Sequence, residues 1–362
     1  MLARIARSVD WLLVLALFII LGFSFLAIAS VVLSADPPLW SLLVKQGTAL
    51  ALGVGAIIFL TVLNYRFFRA ASNWFYLVGI LVLILVLLFG RTIRGTTGWF
   101  VIGGWSMQPS EFVKVIATIF LARYFTDYAR SLHAWRHLFL SGVGVAMFMV
   151  LILAQPDFGT ASVYFLLWLL SVIVIGIPLR RTVAILLAMA CIGAVSWFFF
   201  FQDYQRARIL TFLTAARRDT RGGGYQVEQS LIAVGSGGIV GKGFGAGSQS
   251  QLRFLPAAET DFVFSVIAEE FGLIGVSVFL SAWIIFFWRL IAAARGAADN
   301  FGAVLVLCVA LVFAVQLFMN VGMTVGFFPI TGVTLPLVSY GGSALMTHLI
   351  LVGLAFSVIR HR

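Results

Sequence analysis

Long apolar runs follow one another along the whole chain, divided by short stretches in which Arg, Gly and Pro collect. A helix needs about 20 predominantly apolar residues to cross a bilayer. On that measure the pattern predicts about ten transmembrane helices, over 11–33, 42–63, 73–90, 111–126, 138–154, 161–177, 182–201, 262–291, 302–327 and 342–359. The expected fold class is an all-α polytopic membrane protein. It is read as one transmembrane domain over 1–362, with a long extracytoplasmic loop at about 202–261 between helices 7 and 8. The 111–126 run is the weakest, because it is short and carries Glu111 and Lys114. The opening Met-Leu-Ala-Arg-Ile-Ala-Arg resembles the basic start of a signal peptide. The apolar run behind it is longer than a signal core and shows no clear cleavage site, so it reads as a retained first span.

Composition agrees with this pattern. Of 362 residues, 62% are hydrophobic and 10% charged, against about a quarter charged in a soluble domain. Too few polar groups remain to cover a soluble surface. A net charge of +11 would suggest nucleic acid in a soluble protein, but here the basic residues sit mostly in short connections. With the N-terminus inside, thirteen Arg fall on cytoplasmic segments, against Lys45, Arg91 and Arg94 on the opposite short loops. That bias follows the positive-inside rule and puts both termini in the cytoplasm. Cys191 and Cys308 lie in apolar runs and offer neither a disulfide framework nor metal spacing.

Three irregular polar segments fall on the expected non-cytoplasmic side: the long loop, Gln155 through Thr160, and Phe328 through Gly342. Irregular backbone near the membrane survives only where it is buried in protein or lines a wet cavity. Together the three predict a polar cavity opening on that face. The Gly235-Ser236-Gly237-Gly238 run, followed by Gly241, Gly243, Gly245 and Gly247, resembles a phosphate-binding loop, yet it has no Walker A pattern and no preceding strand. Tight packing of a re-entrant segment is the favoured reading.

Charged residues inside spans are costly and mark function by default. Glu111 and Lys114 stand three apart on one helix face and can pair, either as a structural salt bridge or as part of a site. Glu269 and Glu270 interrupt the eighth span, and a helix break or polar packing is the favoured reading for Glu270. Asp261 stands where the long loop meets that span. A carboxylate at the mouth of an apolar cavity can serve as a general base. The plainer alternative is that Thr260 or Asp261 caps the helix. His348 is read as a packed histidine, and Trp99 and Trp105 as interfacial anchors.

Several of these segments resemble signatures of the SEDS family (shape, elongation, division and sporulation). They are Gln108-Pro109-Ser110-Glu111-Phe112-Val113-Lys114, Gln155-Pro156-Asp157-Phe158-Gly159-Thr160, Thr260-Asp261-Phe262-Val263-Phe264 with Glu269-Glu270, and Leu335-Pro336-Leu337-Val338-Ser339-Tyr340-Gly341-Gly342. Within the family the chain resembles the elongation branch, RodA, more than the division branch, FtsW, through Tyr204-Gln205 with Arg208, Gly224-Tyr225-Gln226 and Gly241-Lys242-Gly243. Three positions depart from the family pattern. Gly98 stands where a basic residue is usual, Ala258-Glu259 where a Glu-His pair is common, and Ala344 where a second Ser usually follows Ser343.

The resemblance implies a peptidoglycan glycosyltransferase of the bacterial inner membrane that polymerises lipid II during elongation, with undecaprenyl pyrophosphate leaving. It implies Asp261 as base or orienting group, with Glu111 and Lys114 as paired intramembrane residues and Trp99 near the family's loop tryptophan. Gln155, Asp157 and Ser339 fall in its motifs and are expected at the substrate. Arg206, Arg208 and Lys242 are plausible contacts for pyrophosphate oxygens. Mg2+ or Mn2+ is an expected aid to the leaving group, with no protein-only cage for it. A class B penicillin-binding protein (transpeptidase) and other elongation-complex membrane proteins are the expected partners, with lipid II, membrane lipid and no nucleic acid. The rival reading is a lipid II flippase, since broken helices and polar residues in spans suit a transporter too.

Overall fold

The structure is a computed structural model, and it describes residues 10–34, 37–93, 95–129, 134–199 and 223–362. The long helices are α1 (Trp11–Leu33), α2 (Trp40–Val62), α3 (Arg66–Phe89), α4 (Pro109–Asp127), α5 (Trp135–Leu153), α6 (Phe158–Ile175) and α7 (Leu179–Phe199). They continue, after α8 (Gly223–Ser236) and the single turn α9 (Ser248–Gln251), with α10 (Val263–Arg295), α11 (Asn300–Thr324) and α12 (Gly342–Arg360). Eight of these are long and apolar enough to cross a membrane. α4 and α7 are not among the eight, yet they coincide with the fourth and seventh predicted runs. The protein is thus a mostly helical, multi-pass membrane protein. Large apolar side chains such as Phe18, Leu52 and Trp74 are exposed on the outside of the bundle, where a soluble protein would carry charge.

One element is absent from the pattern of apolar runs. A three-stranded antiparallel sheet, β1 (Arg91–Ile93), β2 (Thr96–Ile102) and β3 (Trp105–Met107), fills the connection between α3 and α4. Its register pairs Arg91 with Trp99 and Phe100 with Met107. The stretch reads in sequence as a Gly-rich loop, but Thr, Trp, Phe, Val and Ile dominate β2, and these residues fit a pleated surface.

Hydrophobic burial drives little helix association inside a bilayer, so close packing and polar bonds between helices carry more of it. α12 is buried along nearly its whole length and lies chiefly on α2, where Gly53 leaves room for Leu349. Ser24 of α1 donates to the Val338 carbonyl (2.7 Å), and Trp168 of α6 donates to Ser141 of α5 (3.1 Å).

The described part of the long connection is folded. α8 packs on α10 and α11, and Ser230 donates to the Thr324 carbonyl (2.7 Å). Residues 237–243 are stitched into α10, which breaks at Gly272 (φ 61°, ψ −164°). The break strands carbonyls and amides inside the bundle, where none can be left unpaired cheaply. The loop satisfies them. Lys242 and Gly243 N–H donate to the Glu269 and Glu270 carbonyls, and Leu273 and Ile274 N–H donate to the Gly238 and Ile239 carbonyls, all within 2.9–3.1 Å. A side-chain carbon at Gly241 would lie 2.1 Å from the Glu270 carbonyl oxygen. The glycines serve tight packing here, and the interruption of the eighth span falls at Gly272, just past the two glutamates.

Candidate active site

A cavity of about 660 Å³ opens at one end of the bundle. Its wall is assembled from every irregular segment that adjoins it: the hairpin with Thr96 and Trp99, the first turns of α4, the Pro156–Thr160 turn, Thr260–Asp261, and the loop from Thr331 to Gly341 with the start of α12. Lys45 of α2 and Gln316 of α11 complete it.

The first turns of α4 carry the charge. Pro109 occupies the first helical position, where its missing N–H costs nothing, and Glu111 sits in the first turn, where the helix dipole favours an anion. One turn on, Lys114 Nζ lies 2.7 Å from Glu111 Oε2, with side chains 1% and 8% exposed. The pair faces the cavity. Tyr164 of α6 anchors this turn by donating to the Ser110 carbonyl (2.7 Å), and Ser343 Oγ accepts from Gln108 N–H (3.0 Å).

Asp157 caps α6, its carboxylate accepting from Thr160 N–H and from Gln108 Nε2, both at 2.9 Å. Loss of water around this carboxylate raises its pKa. Glu111 nearby raises it further, while the Thr160 bonds and Lys114 pull the other way. Gln155 behaves differently from its neighbour. It is buried, its carbonyl accepts from Thr97 N–H (3.3 Å), and it lies behind the cavity wall rather than in it. A side chain at Gly98 would meet Gln155 Oε1 at 2.8 Å. The family's basic residue therefore has no room here unless Gln155 turns aside.

Asp261 lines the cavity, and its carboxylate lies against Gly332. Neither Thr260 nor Asp261 occupies the cap position of α10. The cap position is Phe262, without a side-chain cap, and Thr260 Oγ1 turns back to the Ala257 carbonyl (3.4 Å). The Asp261 segment is instead held by the loop before α12. Ser339 Oγ donates to the Thr260 carbonyl while accepting from Leu335 N–H (2.8 Å), and Tyr340 N–H donates to the Glu259 carbonyl (2.8 Å). Ser339 is buried beneath the site and does not line it.

Lys242 also lies away from the cavity. Its ammonium pairs with Glu269 at 2.8 Å, and Glu269, fully buried, further accepts from the N–H groups of Gln249 (3.0 Å) and Ser250 (3.3 Å). Glu270 accepts from the Ser30 hydroxyl, the polar packing expected of it. His348 is packed, between Gln316 and the Leu337 backbone. Trp99 is half-buried in the cavity wall, its indole N–H on Thr96 (3.0 Å). Arg206 and Arg208 lie outside the described residues. The cations that do line the cavity, among the described residues, are Lys114 and Lys45. In sequence Lys45 is only a topology marker, and Gln316, a lone Gln in an apolar run, carries no motif.

Fold and site together define a multi-pass helical membrane protein with a carboxylate-bearing polar cavity at one end of its bundle. A family profile described as Cell cycle protein, FTSW_RODA_SPOVE, matches residues 8–362. The chain belongs to this family, the SEDS proteins. It is 35% identical over 318 residues to peptidoglycan glycosyltransferase MrdB of Escherichia coli K12, covering 86% of this chain and 84% of that one. It is 30% identical over 385 residues to peptidoglycan glycosyltransferase RodA of Treponema pallidum, covering 87% and 88%. Among solved structures, Thermus thermophilus RodA matches with a TM-score of 0.70 at 28% identity over 98% of this chain and 96% of that one. A chain from a peptidoglycan synthase complex that coordinates polymerization and crosslinking matches with a TM-score of 0.80 at 30% identity, covering 97% of each.

Proposed function

We propose that this protein is a peptidoglycan glycosyltransferase that polymerises lipid II into glycan strands. The observation that carries the reading is Asp261 in a polar cavity enclosed by apolar helices, together with the Glu111–Lys114 pair. Relatives named as peptidoglycan glycosyltransferases support it. In this reading the Asp261 carboxylate takes the proton of the acceptor sugar hydroxyl as that oxygen bonds to the donor's anomeric carbon. The bond from that carbon to the pyrophosphate oxygen breaks, and the electron pair departs with undecaprenyl pyrophosphate. Lys114 and Lys45 supply positive charge to the leaving phosphates. Trp99 and Asp157 with Gln108 shape the polar wall around the sugars. The apolar helices take the polyprenyl chain.

Among the described residues no group of three or more His, Cys, Asp or Glu could hold a metal ion. The carboxylates here do not fit a protein-only cage, so Mg2+ or Mn2+ would take most of its ligands from pyrophosphate and water. The reading extends to the bacterial inner membrane with both termini cytoplasmic, and to a class B penicillin-binding protein as partner during elongation. The structural likeness to a synthase complex that couples polymerization with crosslinking supports the partner.

The test is lipid II polymerisation by purified protein with its penicillin-binding partner, wild type against Asp261→Asn. Glycan strands from wild type alone, at equal expression and thermal stability, are expected. Strands from both would remove Asp261 from the chemistry. No strands from either, together with lipid II transport in vesicles, would replace the enzyme by the flippase.

A further inference from the structure

A backbone N–H can only donate. That of Leu337 lies 3.4 Å from Nδ1 of His348, so this nitrogen accepts and the neutral ring carries its proton on Nε2. Nε2 in turn lies 2.8 Å from Oε1 of Gln316 and donates to it. The carboxamide of Gln316 is thereby oriented, oxygen toward His348 and NH2 away. Both side chains are 1% exposed. Turning the amide over would set NH2 against the Nε2 proton, and moving that proton to Nδ1 would set it against Leu337 N–H. Either change leaves buried donors facing each other, which is expensive. The Leu337 end is itself fixed, with φ at 63° in a turn closed by Val338 N–H on the Leu335 carbonyl (3.2 Å).

Gln316 also lines the cavity, as Glu111 and Lys114 do. Building on the glycosyltransferase reading, we infer that Gln316 is a substrate-binding residue whose NH2 donates to an oxygen of the lipid-linked substrate, and that His348 is the positioning residue that sets its polarity. The relay runs from a backbone donor, through a histidine whose tautomer it selects, to an amide that can present only donors to the cavity. No charge is needed at His348.

Two substitutions at Gln316 separate binding from support. Gln316→Met keeps the length and removes donor and acceptor. Gln316→Glu in its ionised form keeps the acceptor for His348 and presents no donor to the cavity, so KM is measured at the alkaline end of the activity range as well as at neutral pH. Polymerisation by full-length protein with its penicillin-binding partner is measured against lipid II concentration, alongside thermal stability. Both variants are expected to raise KM roughly ten- to a hundredfold, as loss of a hydrogen bond to a charged or strongly polar group does. Gln316→Glu buries a carboxylate, so its melting temperature is expected to fall, and its KM is compared at a temperature where both proteins are fully folded. His348→Leu should raise KM too, and the double variant Gln316→Met with His348→Leu should be no worse in KM than Gln316→Met alone. A wild-type KM in Gln316→Glu, or additive losses in the double variant, overturns the inference while leaving the enzyme intact. Absence of strands from wild type overturns the enzyme reading, and this inference falls with it.

Discussion

Asn320 holds Asp261 by the backbone. Its side-chain nitrogen donates to the Asp261 carbonyl at 2.9 Å and to the Val333 carbonyl at 2.8 Å. One buried side chain of α11 thus clamps two loops that have no regular structure of their own. Ser339 and Tyr340 add bonds from the second loop to residues 259 and 260. The placement of Asp261, one residue before the cap position of α10, draws on this cross-bracing.

Asn320→Leu removes both donors, so the Asp261 and Val333 carbonyls lose these bonds. A stability loss of about 2–4 kcal/mol is expected. Polymerisation should fall further than stability does, since displacing a reacting group by about 1 Å can cost a hundredfold. Melting temperature and strand synthesis on the same preparation check this. Loss of stability with a normal rate per folded molecule would free Asp261 from dependence on Asn320.

Breaking the Glu111–Lys114 pair from one side strands a charge inside the bundle. Lys114→Met or Glu111→Gln is expected to cost about 3–5 kcal/mol. Removing both charges together should cost less than the sum, because neither is then left alone. Polymerisation should nevertheless stay low in the double variant, with Lys114 gone from the cavity. Thermal melting of the three variants beside their activity tests both halves, and full activity in the double variant would make the pair purely structural.

Lys242 neutralises a carboxylate with no exposed surface, and its own ammonium is partly exposed. Lys242→Met should therefore cost about 1–3 kcal/mol of stability, with Lys242→Arg retaining most of it. The KM for lipid II should stay near wild type in both. A raised KM at unchanged stability would restore Lys242 to the substrate.

Most of the helices could be read from the chain, because an apolar run long enough to cross a bilayer has few other solutions. The cavity was readable as well: Pro, Gly and polar residues at span ends have to line something wet or be buried. Which of them do which was not readable. Gln155 and Asp157 stand two apart in one motif, yet one packs behind the wall and the other faces the cavity. Ser339 and Lys242 are expected at the substrate from sequence, while in the structure they bond to the Thr260 carbonyl and to Glu269, since a hydroxyl or ammonium pattern does not say which carbonyl or carboxylate folds against it. The sheet leaves little trace in the sequence because its strands are short and set among glycines. The two glutamates mark an interruption of α10 in sequence but not its position: the positive φ that breaks the helix needs Gly272, two residues past Glu270.

Asp157 gives the fold a pH dependence whose sign can be worked out. Its pKa is raised above the ordinary 3.8, chiefly by loss of water around the carboxylate. Between that ordinary value and the raised one, the folded protein keeps a proton that the unfolded chain has released, so stability falls as pH climbs through the window. Above the window the burial of a charged carboxylate is felt in full. Asn at this position can still cap α6 by accepting from Thr160 N–H, and the Gln108 amide can turn to accept from its nitrogen. Asp157→Asn is therefore expected to melt at or above the wild-type temperature at neutral pH, and to lose the decline that wild type shows from about pH 4 upward. Melting of both proteins in detergent across that range is the measurement. Parallel curves would mean that Asp157 is charged throughout, and that its bonds to Thr160 and Gln108 outweigh the loss of water around it.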